Sequence, residues 1–189
     1  KSSSPGNGKS CNICAKGYSG LWESHPDLLT LIDASKTTST SPTDLKGTDL
    51  VWTKQSTVTH VAAAGDIGAY WDLSAGYFYT NTRRVVGSRY TLFYYWKPGS
   101  GTYNELHYGG SYNDRWAYVI NNVDLGYYAF NVRNTNDNGF KYTNYGITVD
   151  EWQTLIVTGV ATDVDNGVGT STFYVNGVQV GNTLGKVAS

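Results

Sequence analysis

From about residue 50 onward, apolar and polar residues alternate with period two, and short clusters of turn-forming residues interrupt the alternation. Period-two alternation is typical of half-buried β-strands, because successive side chains of a strand point to opposite faces. Strands are therefore predicted at 50–54, 58–63, 69–73, 76–81, 89–97, 103–108, 116–121, 125–132, 139–145, 151–161 and 170–180. Many short antiparallel strands joined by tight turns favour an all-β fold with two antiparallel sheets packed as a sandwich. No sequence repeat recurs at a fixed period, which argues against a propeller or a solenoid.

The composition predicts few helices. Glu occurs only three times, Met is absent, and Gly (22) and Tyr (16) are abundant. Glu and Met favour helices, whereas Gly suits turns and Tyr suits strands. One short N-terminal helix is predicted near residues 26–35, because Ser24 or Asp27 can occupy a cap position and Pro26 suits the first turn of a helix.

The charge and hydropathy of the chain restrict the classes of binding partner that the sequence predicts. The net charge is −1, with 14 basic and 15 acidic residues and no basic tract, so nucleic acid and an anionic membrane surface are not expected as partners. No apolar stretch reaches transmembrane length, and no signal peptide is visible. The low charge and high Tyr, Thr and Asn content are typical of a secreted β protein, and the chain reads as an excised piece of something longer.

Several segments resemble the laminin G-like jelly roll of the concanavalin A-like superfamily. They are Arg89–Pro98, Trp116–Ile120, Tyr127–Val132, Glu151–Thr158 and Thr172–Val178. The resemblance implies a two-sheet jelly roll over residues 21–189, with Trp and Tyr packed between the sheets and Asn176-Gly177 turning a hairpin. Only Asn-Thr-Leu-Gly-Lys-Val-Ala-Ser follows that hairpin, so either this tail forms the closing strand or an open edge invites strand addition.

Cys11 and Cys14 are the two cysteines. A zinc or redox site is disfavoured because no second ligand pair is present and the flanks are rich in Ser and Gly. A disulfide, or part of one, is favoured instead. The Cys-x-x-Cys-x-x-Gly-Tyr-x-Gly segment resembles the end of a laminin-type EGF-like module, so residues 1–20 are predicted to be a linker and the remnant of such a module.

Calcium is the one cofactor that the sequence suggests. Asp163, Asp165 and Asn166 offer hard oxygen ligands at neighbouring positions, although the EF-hand pattern is not satisfied. Laminin G-like domains often bind calcium at the rim of the sheets, which favours this site by resemblance. The same residue types also suit a plain hairpin loop.

Glycan-binding candidates lie in one loop and on one strand. The loop residues combine aromatic, amide and charged groups: Tyr112, Asn113, Asp114, Arg115 and Trp116. Trp71, with Tyr77 and Tyr79, offers a second aromatic surface. The alternative is that these aromatic side chains fill the core, as most of the 16 Tyr and six Trp must do.

The predicted function is non-catalytic recognition of a glycan or a protein partner by an extracellular or cell-surface protein. No pair of carboxylates follows a glycosidase spacing, and no nucleophile elbow is present, so no catalytic residue is assigned. Two alternatives remain open: a structural subunit of an extracellular filament or matrix that assembles through open sheet edges, and a glycan-active hydrolase or lyase.

Overall fold

The structure, a computed structural model, describes only part of the chain: residues 26–37, 40–46, 51–64, 67–80, 88–99, 105–109, 116–119, 131–133, 141–163 and 168–187. Between residues 105 and 142 it describes the strand backbone alone. The chain divides into two compact units, Lys1–Thr82 and Arg83–Ser189. The predicted start of the domain at residue 21 lies outside the described residues.

The all-β prediction is confirmed. The strands are β1 Trp52–Val61, β2 Tyr70–Thr80, β3 Arg89–Trp96, β4 Glu105–Gly109, β5 Trp116–Val119, β6 Asn131–Arg133, β7 Lys141–Tyr142, β8 Gln153–Asp163, β9 Val168–Val175 and β10 Val178–Leu184. They form a β1-β2 hairpin and two four-stranded sheets, ordered β10-β9-β8-β3 and β4-β5-β6-β7. Every pairing is antiparallel. The sheet β10-β9-β8-β3 is called the C-terminal sheet below.

In the N-terminal unit, the sequence predicts four short strands, with breaks at residues 55–57 and 74–75. These breaks are wrong, because the structure has two continuous strands there, β1 and β2. Strands β1 and β2 pair from Trp52–Thr80 to Val61–Tyr70, with one irregularity between Thr57 and Thr59. The polar residues near Ser56 interrupt the side-chain alternation, but ladder hydrogen bonds join backbone groups and survive such an interruption. A bulge absorbs the irregularity, and Ser56 has a positive φ of 64°.

The helix predicted at 26–35 is also wrong, since the only helical residues described are a 3-10 turn at Ala34–Lys36. Leu31 explains the difference. Its N–H donates to Asp44 Oδ1 at 3.1 Å, and its carbonyl accepts from Leu45 N at 2.8 Å. Because these partners lie more than a dozen residues along the chain, they hold both backbone groups of Leu31 away from any helical ladder. No helix in the described part of the chain is long and apolar enough to cross a membrane.

One face of the C-terminal sheet forms the core of the second unit. Leu155, Val157 and Phe173 are fully buried at its centre. The rest of the buried cluster comes from β3, β9, β10 and the segment before β8: Trp96, Ile147, Val175 and Leu184. Trp96 therefore lies in the core. Every second residue is buried along most of β8 and β9, because successive side chains of a strand point to opposite faces of the sheet.

The predicted Asn-Gly turn is confirmed. Asn176 and Gly177 have φ values of 50° and 82°, which are the positive values that a two-residue hairpin turn requires. Asn176 also anchors the turn to the neighbouring strand: its Oδ1 accepts from Thr154 N at 2.9 Å, and its N–H donates to the Thr154 carbonyl at 3.0 Å.

The tail after this hairpin completes β10 and packs into the unit. Leu184 and Val187 are buried, and the Lys186 carbonyl accepts from Ser171 Oγ at 2.8 Å. Two reciprocal hydrogen bonds join the edge of β10 to the segment before β8. Asn144 N–H donates to Asn182 Oδ1 at 2.9 Å, and Asn182 N–H donates to Asn144 Oδ1 at 3.0 Å. Here the edge of β10 is covered by its own chain.

Replacing Gly181 with alanine is expected to destabilise the C-terminal unit by more than about 1 kcal/mol. Gly181 has a φ of +63°, and a Cβ there would lie 2.9 Å from Thr143 Cβ and 3.1 Å from Tyr145 Cβ. Urea unfolding followed by Trp fluorescence measures the change. Gly185→Ala is the matched control, because a Cβ at Gly185 meets nothing within 4 Å. Equal stability of the two variants would contradict the strained, crowded geometry at Gly181.

Candidate functional site

The C-terminal sheet presents a second face, opposite the core, that is called the outer face. Its residues are Arg89, Thr91, Phe93 and Tyr95 of β3, Thr154, Ile156, Thr158, Val160 and Asp163 of β8, Val168, Thr170, Thr172 and Tyr174 of β9, and Gln179 and Thr183 of β10. They alternate along each strand with the residues of the core face, and most are half-buried or exposed. The outer face is therefore reachable from solvent over much of its area.

A row of side chains crosses the four strands of the outer face, apolar or aromatic on β3, β8 and β9 and an amide on β10. Phe93 pairs with Ile156, Ile156 with Tyr174, and Tyr174 with Gln179. Cross-strand partners lie on the same face of a sheet with neighbouring side chains. Phe93 is 53% exposed, although burial of so apolar a side chain would be favourable. This group of residues is called the aromatic row.

A stacked aromatic pair lies at one end of the same face. Tyr95 is 46% exposed, and its ring stacks on Trp152 with centroids 5.1 Å apart and planes 23° from parallel. Trp152 directly precedes β8, and its position in the alternation places it with Thr154 and Ile156. Offset stacking of this kind holds two rings in a fixed relative orientation. Trp152 itself is half-buried.

A row of hydroxyl groups runs beside the aromatic row. Thr91 pairs with Thr158, and Thr158 pairs with Thr172. Thr172 Oγ1 and Thr183 Oγ1 share a hydrogen bond at 3.3 Å. The register shift between Val180 and Leu184 sets Thr183 beside Thr172. These four residues, called the threonine row, span the full width of the sheet.

The outer face carries little charge. Its charged residues are Arg89 at one end of β3 and Asp163, which pairs with Val168 at the same end of the sheet; the described residues between them and the other end are uncharged. Thr, Tyr and Gln side chains supply neutral donors and acceptors. The face therefore suits a neutral ligand with many hydroxyl groups better than a strongly charged one.

The structure places only some of the predicted site residues. Tyr112, Asn113, Asp114 and Arg115 lie outside the described residues, and Trp116 opens β5 with only its backbone described. Asp163 is exposed at the end of β8, while Asp165 and Asn166 lie outside the described residues, as do Cys11 and Cys14. Within the described ranges, no group of three or more His, Cys, Asp or Glu side chains could hold a metal ion.

In the N-terminal unit, the structure brings Tyr77 and Tyr79 together and places Trp71 elsewhere. The Tyr77 and Tyr79 ring centroids lie 6.3 Å apart, and Tyr77 is 57% exposed. Trp71 packs edge-on against Phe78 at 5.4 Å and against His60 at 6.2 Å. Trp71 and Phe78 would lie roughly 23 Å apart on a straight strand, so their ring contact shows that β2 departs from a straight path between them.

One carboxylate of the hairpin has a perturbed pKa. Ser74 N–H donates to Asp72 Oδ1 at 2.9 Å, and this backbone hydrogen bond, followed by one from the Ser74 hydroxyl, lowers the pKa of Asp72 below its usual value. A general acid at neutral pH needs a raised pKa instead. Asp72 therefore serves the local turn and remains ionised at neutral pH.

The outer face was not predicted from the sequence. Phe93, Tyr95 and Thr158 each sit at alternate positions of a predicted strand, but only the register across β3, β8 and β9 shows that they form rows. Antiparallel register depends on contacts distant in sequence, which a single sequence does not reveal. No family model, no curated protein and no solved structure matches the chain.

Proposed function

We propose that this chain is a non-catalytic recognition domain that binds a glycan on the outer face of the C-terminal sheet. The observation that carries the proposal is the pair of exposed rings of Phe93 and Tyr95, with half-buried Trp152 stacked on Tyr95, beside a row of threonine hydroxyls. Ligand sites combine apolar and aromatic area with a few convergent polar groups. Sugar rings present C–H faces that pack on aromatic rings, and hydroxyl edges that exchange hydrogen bonds with such polar groups.

The proposal includes a wider setting. Antiparallel sheets and the resemblance quoted above support a laminin G-like jelly roll in an extracellular or cell-surface protein. The Cys11 and Cys14 segment fits the end of an upstream EGF-like module. A calcium ion held by Asp163, Asp165 and Asn166 would bind at the end of β8. None of these three residues is a member of the aromatic row or the threonine row.

Affinity gel electrophoresis of the purified chain tests the proposal. The gels contain hydroxyethylcellulose, xylan or galactomannan as neutral polysaccharides, and alginate or heparin as anionic ones. Retardation by at least one neutral polysaccharide is expected, with little retardation by the anionic polymers, because the outer face is nearly uncharged. No retardation by any polysaccharide, confirmed by titration calorimetry, would overturn the proposal.

Calcium dependence separates the outer face from the loop at the end of β8. Binding is expected to be the same in EDTA and in millimolar calcium, since the side chains of the aromatic and threonine rows are apolar, aromatic, hydroxyl or amide groups without charge. The same gels, run under both conditions, measure this. Loss of binding in EDTA, restored by calcium, would assign recognition to the loop of Asp163, Asp165 and Asn166 instead.

A further inference from the structure

The two rows of the outer face have a common direction. Both run across the strands, at right angles to the chain direction of β3, β8, β9 and β10. Neighbouring strands lie about 4.8 Å apart, so three inter-strand gaps give each row a length of roughly 14 Å. Residues two apart on a strand rise about 6.8 Å, which is the spacing between the rows.

We infer that the outer face binds an extended, neutral polysaccharide chain that runs across the strands, with its sugar rings on the aromatic row, one flank against the Tyr95–Trp152 stack and the hydroxyl groups of the other flank on the threonine row. The inference rests on the proposed function and deepens it. It assigns the ligand class, the direction of the ligand on the sheet, and a hydrogen-bonding role to residues that make no aromatic contact with the ligand.

The chemistry of a sugar chain fits this arrangement. An extended pyranose chain presents an apolar face of C–H groups and a continuous edge of hydroxyl groups on its flank. On the outer face, Phe93, Ile156 and Tyr174 supply the apolar surface. The threonine row supplies hydroxyl donors and acceptors, and one of the Thr172 and Thr183 hydroxyls already donates to the other. The apolar row beside the polar row thus matches the apolar face and the adjacent hydroxyl edge of the sugar chain.

Length and charge restrict the ligand further. A row of roughly 14 Å is longer than a single sugar ring, so a monosaccharide would cover only part of it. The two rows carry no charged side chain, and the charged residues of the face, Arg89 and Asp163, lie at one end of it, so the rows are not matched to the dense charge of an anionic glycan. An extended neutral chain uses all four strands.

The test replaces a hydroxyl without changing the shape of the side chain. Thr158 lies in the middle of the threonine row and is half-buried. Thr158→Val keeps the β-branched shape and the β propensity but removes the hydroxyl, whereas Thr158→Ser keeps the hydroxyl. Binding of Thr158→Val to the polysaccharide that retards the wild type is expected to weaken about three- to tenfold, with Thr158→Ser close to the wild type. Titration calorimetry measures both.

The length of the ligand provides a second readout. With purified oligosaccharides of the same polysaccharide, affinity is expected to rise from the disaccharide to the hexasaccharide. Thr158→Val that binds as tightly as the wild type, or a hexasaccharide that binds no better than a disaccharide, would overturn the inference. Should Thr158→Val not fold, Thr91→Val at the exposed end of the row makes the same test. Failure of the wild type to bind any polysaccharide would instead be a failure of the proposed function.

Discussion

Replacing Phe173 with alanine is expected to destabilise the C-terminal unit by about 3–5 kcal/mol. The Phe173 side chain is fully buried at the centre of β9, and its cross-strand neighbours Val157 and Val180 face the same core. Removing the ring loses its burial and leaves a cavity that a sheet held on both sides cannot close. Since a domain of this size is stable by roughly 5–15 kcal/mol, much of the native stability should disappear.

Urea unfolding followed by intrinsic fluorescence measures the loss. The control is Val178→Ala at the end of the Asn-Gly hairpin, where the side chain is 67% exposed; its effect should stay below about 1 kcal/mol. If Phe173→Ala were as stable as Val178→Ala, then Phe173 would not lie in a packed core, and the division of the sheet into a core face and an outer face would be wrong.

The double variant Tyr95→Ala and Trp152→Ala is expected to reduce glycan affinity by a hundredfold or more, on the order of 3 kcal/mol, which is typical of a pair of binding hot spots. Each ring contributes apolar area, and the stack fixes the orientation of both. Tyr95→Ala alone should weaken binding by about thirtyfold, close to 2 kcal/mol. Titration calorimetry with the polysaccharide that retards the wild type measures both variants.

Two controls make this prediction specific. Tyr95→Phe keeps the ring and the stack, so most of the affinity should remain. Tyr77→Ala removes a tyrosine of similar exposure from the N-terminal unit and should bind like the wild type. Equal losses in Tyr77→Ala and Tyr95→Ala would mean that the outer face has no special role, and full binding by the double variant would exclude it as the site.

Much of the fold follows from the local sequence. The alternation along β3, β8 and β9, and the Asn-Gly pair at 176–177, indicate strands and a hairpin directly, because a strand's faces and a turn's φ values are local properties. The helix predicted at 26–35 failed for the opposite reason. Asp44 and Leu45 bind the backbone of Leu31 from more than a dozen residues away, and no local pattern reveals such a contact.

In the candidate site, too, local features could be predicted from the sequence and long-range contacts could not. Sequence alone marks Trp152 and Tyr95 as aromatic residues of strands, but it does not show that their rings stack, because that depends on the pairing of β3 with β8. The threonine row depends in addition on the bulge at residues 181–183 of β10, which sets Thr183 beside Thr172. Register and bulges are set by long-range contacts, so the rows become visible only in the folded sheet.

Chemical-shift mapping by NMR tests the central claim most directly, because it locates the ligand without any substitution. The isotopically labelled chain is titrated with a soluble neutral hexasaccharide from the polysaccharide that binds in gels. The predicted result is a band of perturbed amide and side-chain signals that crosses the sheet through Phe93, Thr158 and Tyr174. Perturbations confined to other parts of the chain, with these three residues unchanged, would contradict the assignment of the outer face as the glycan site.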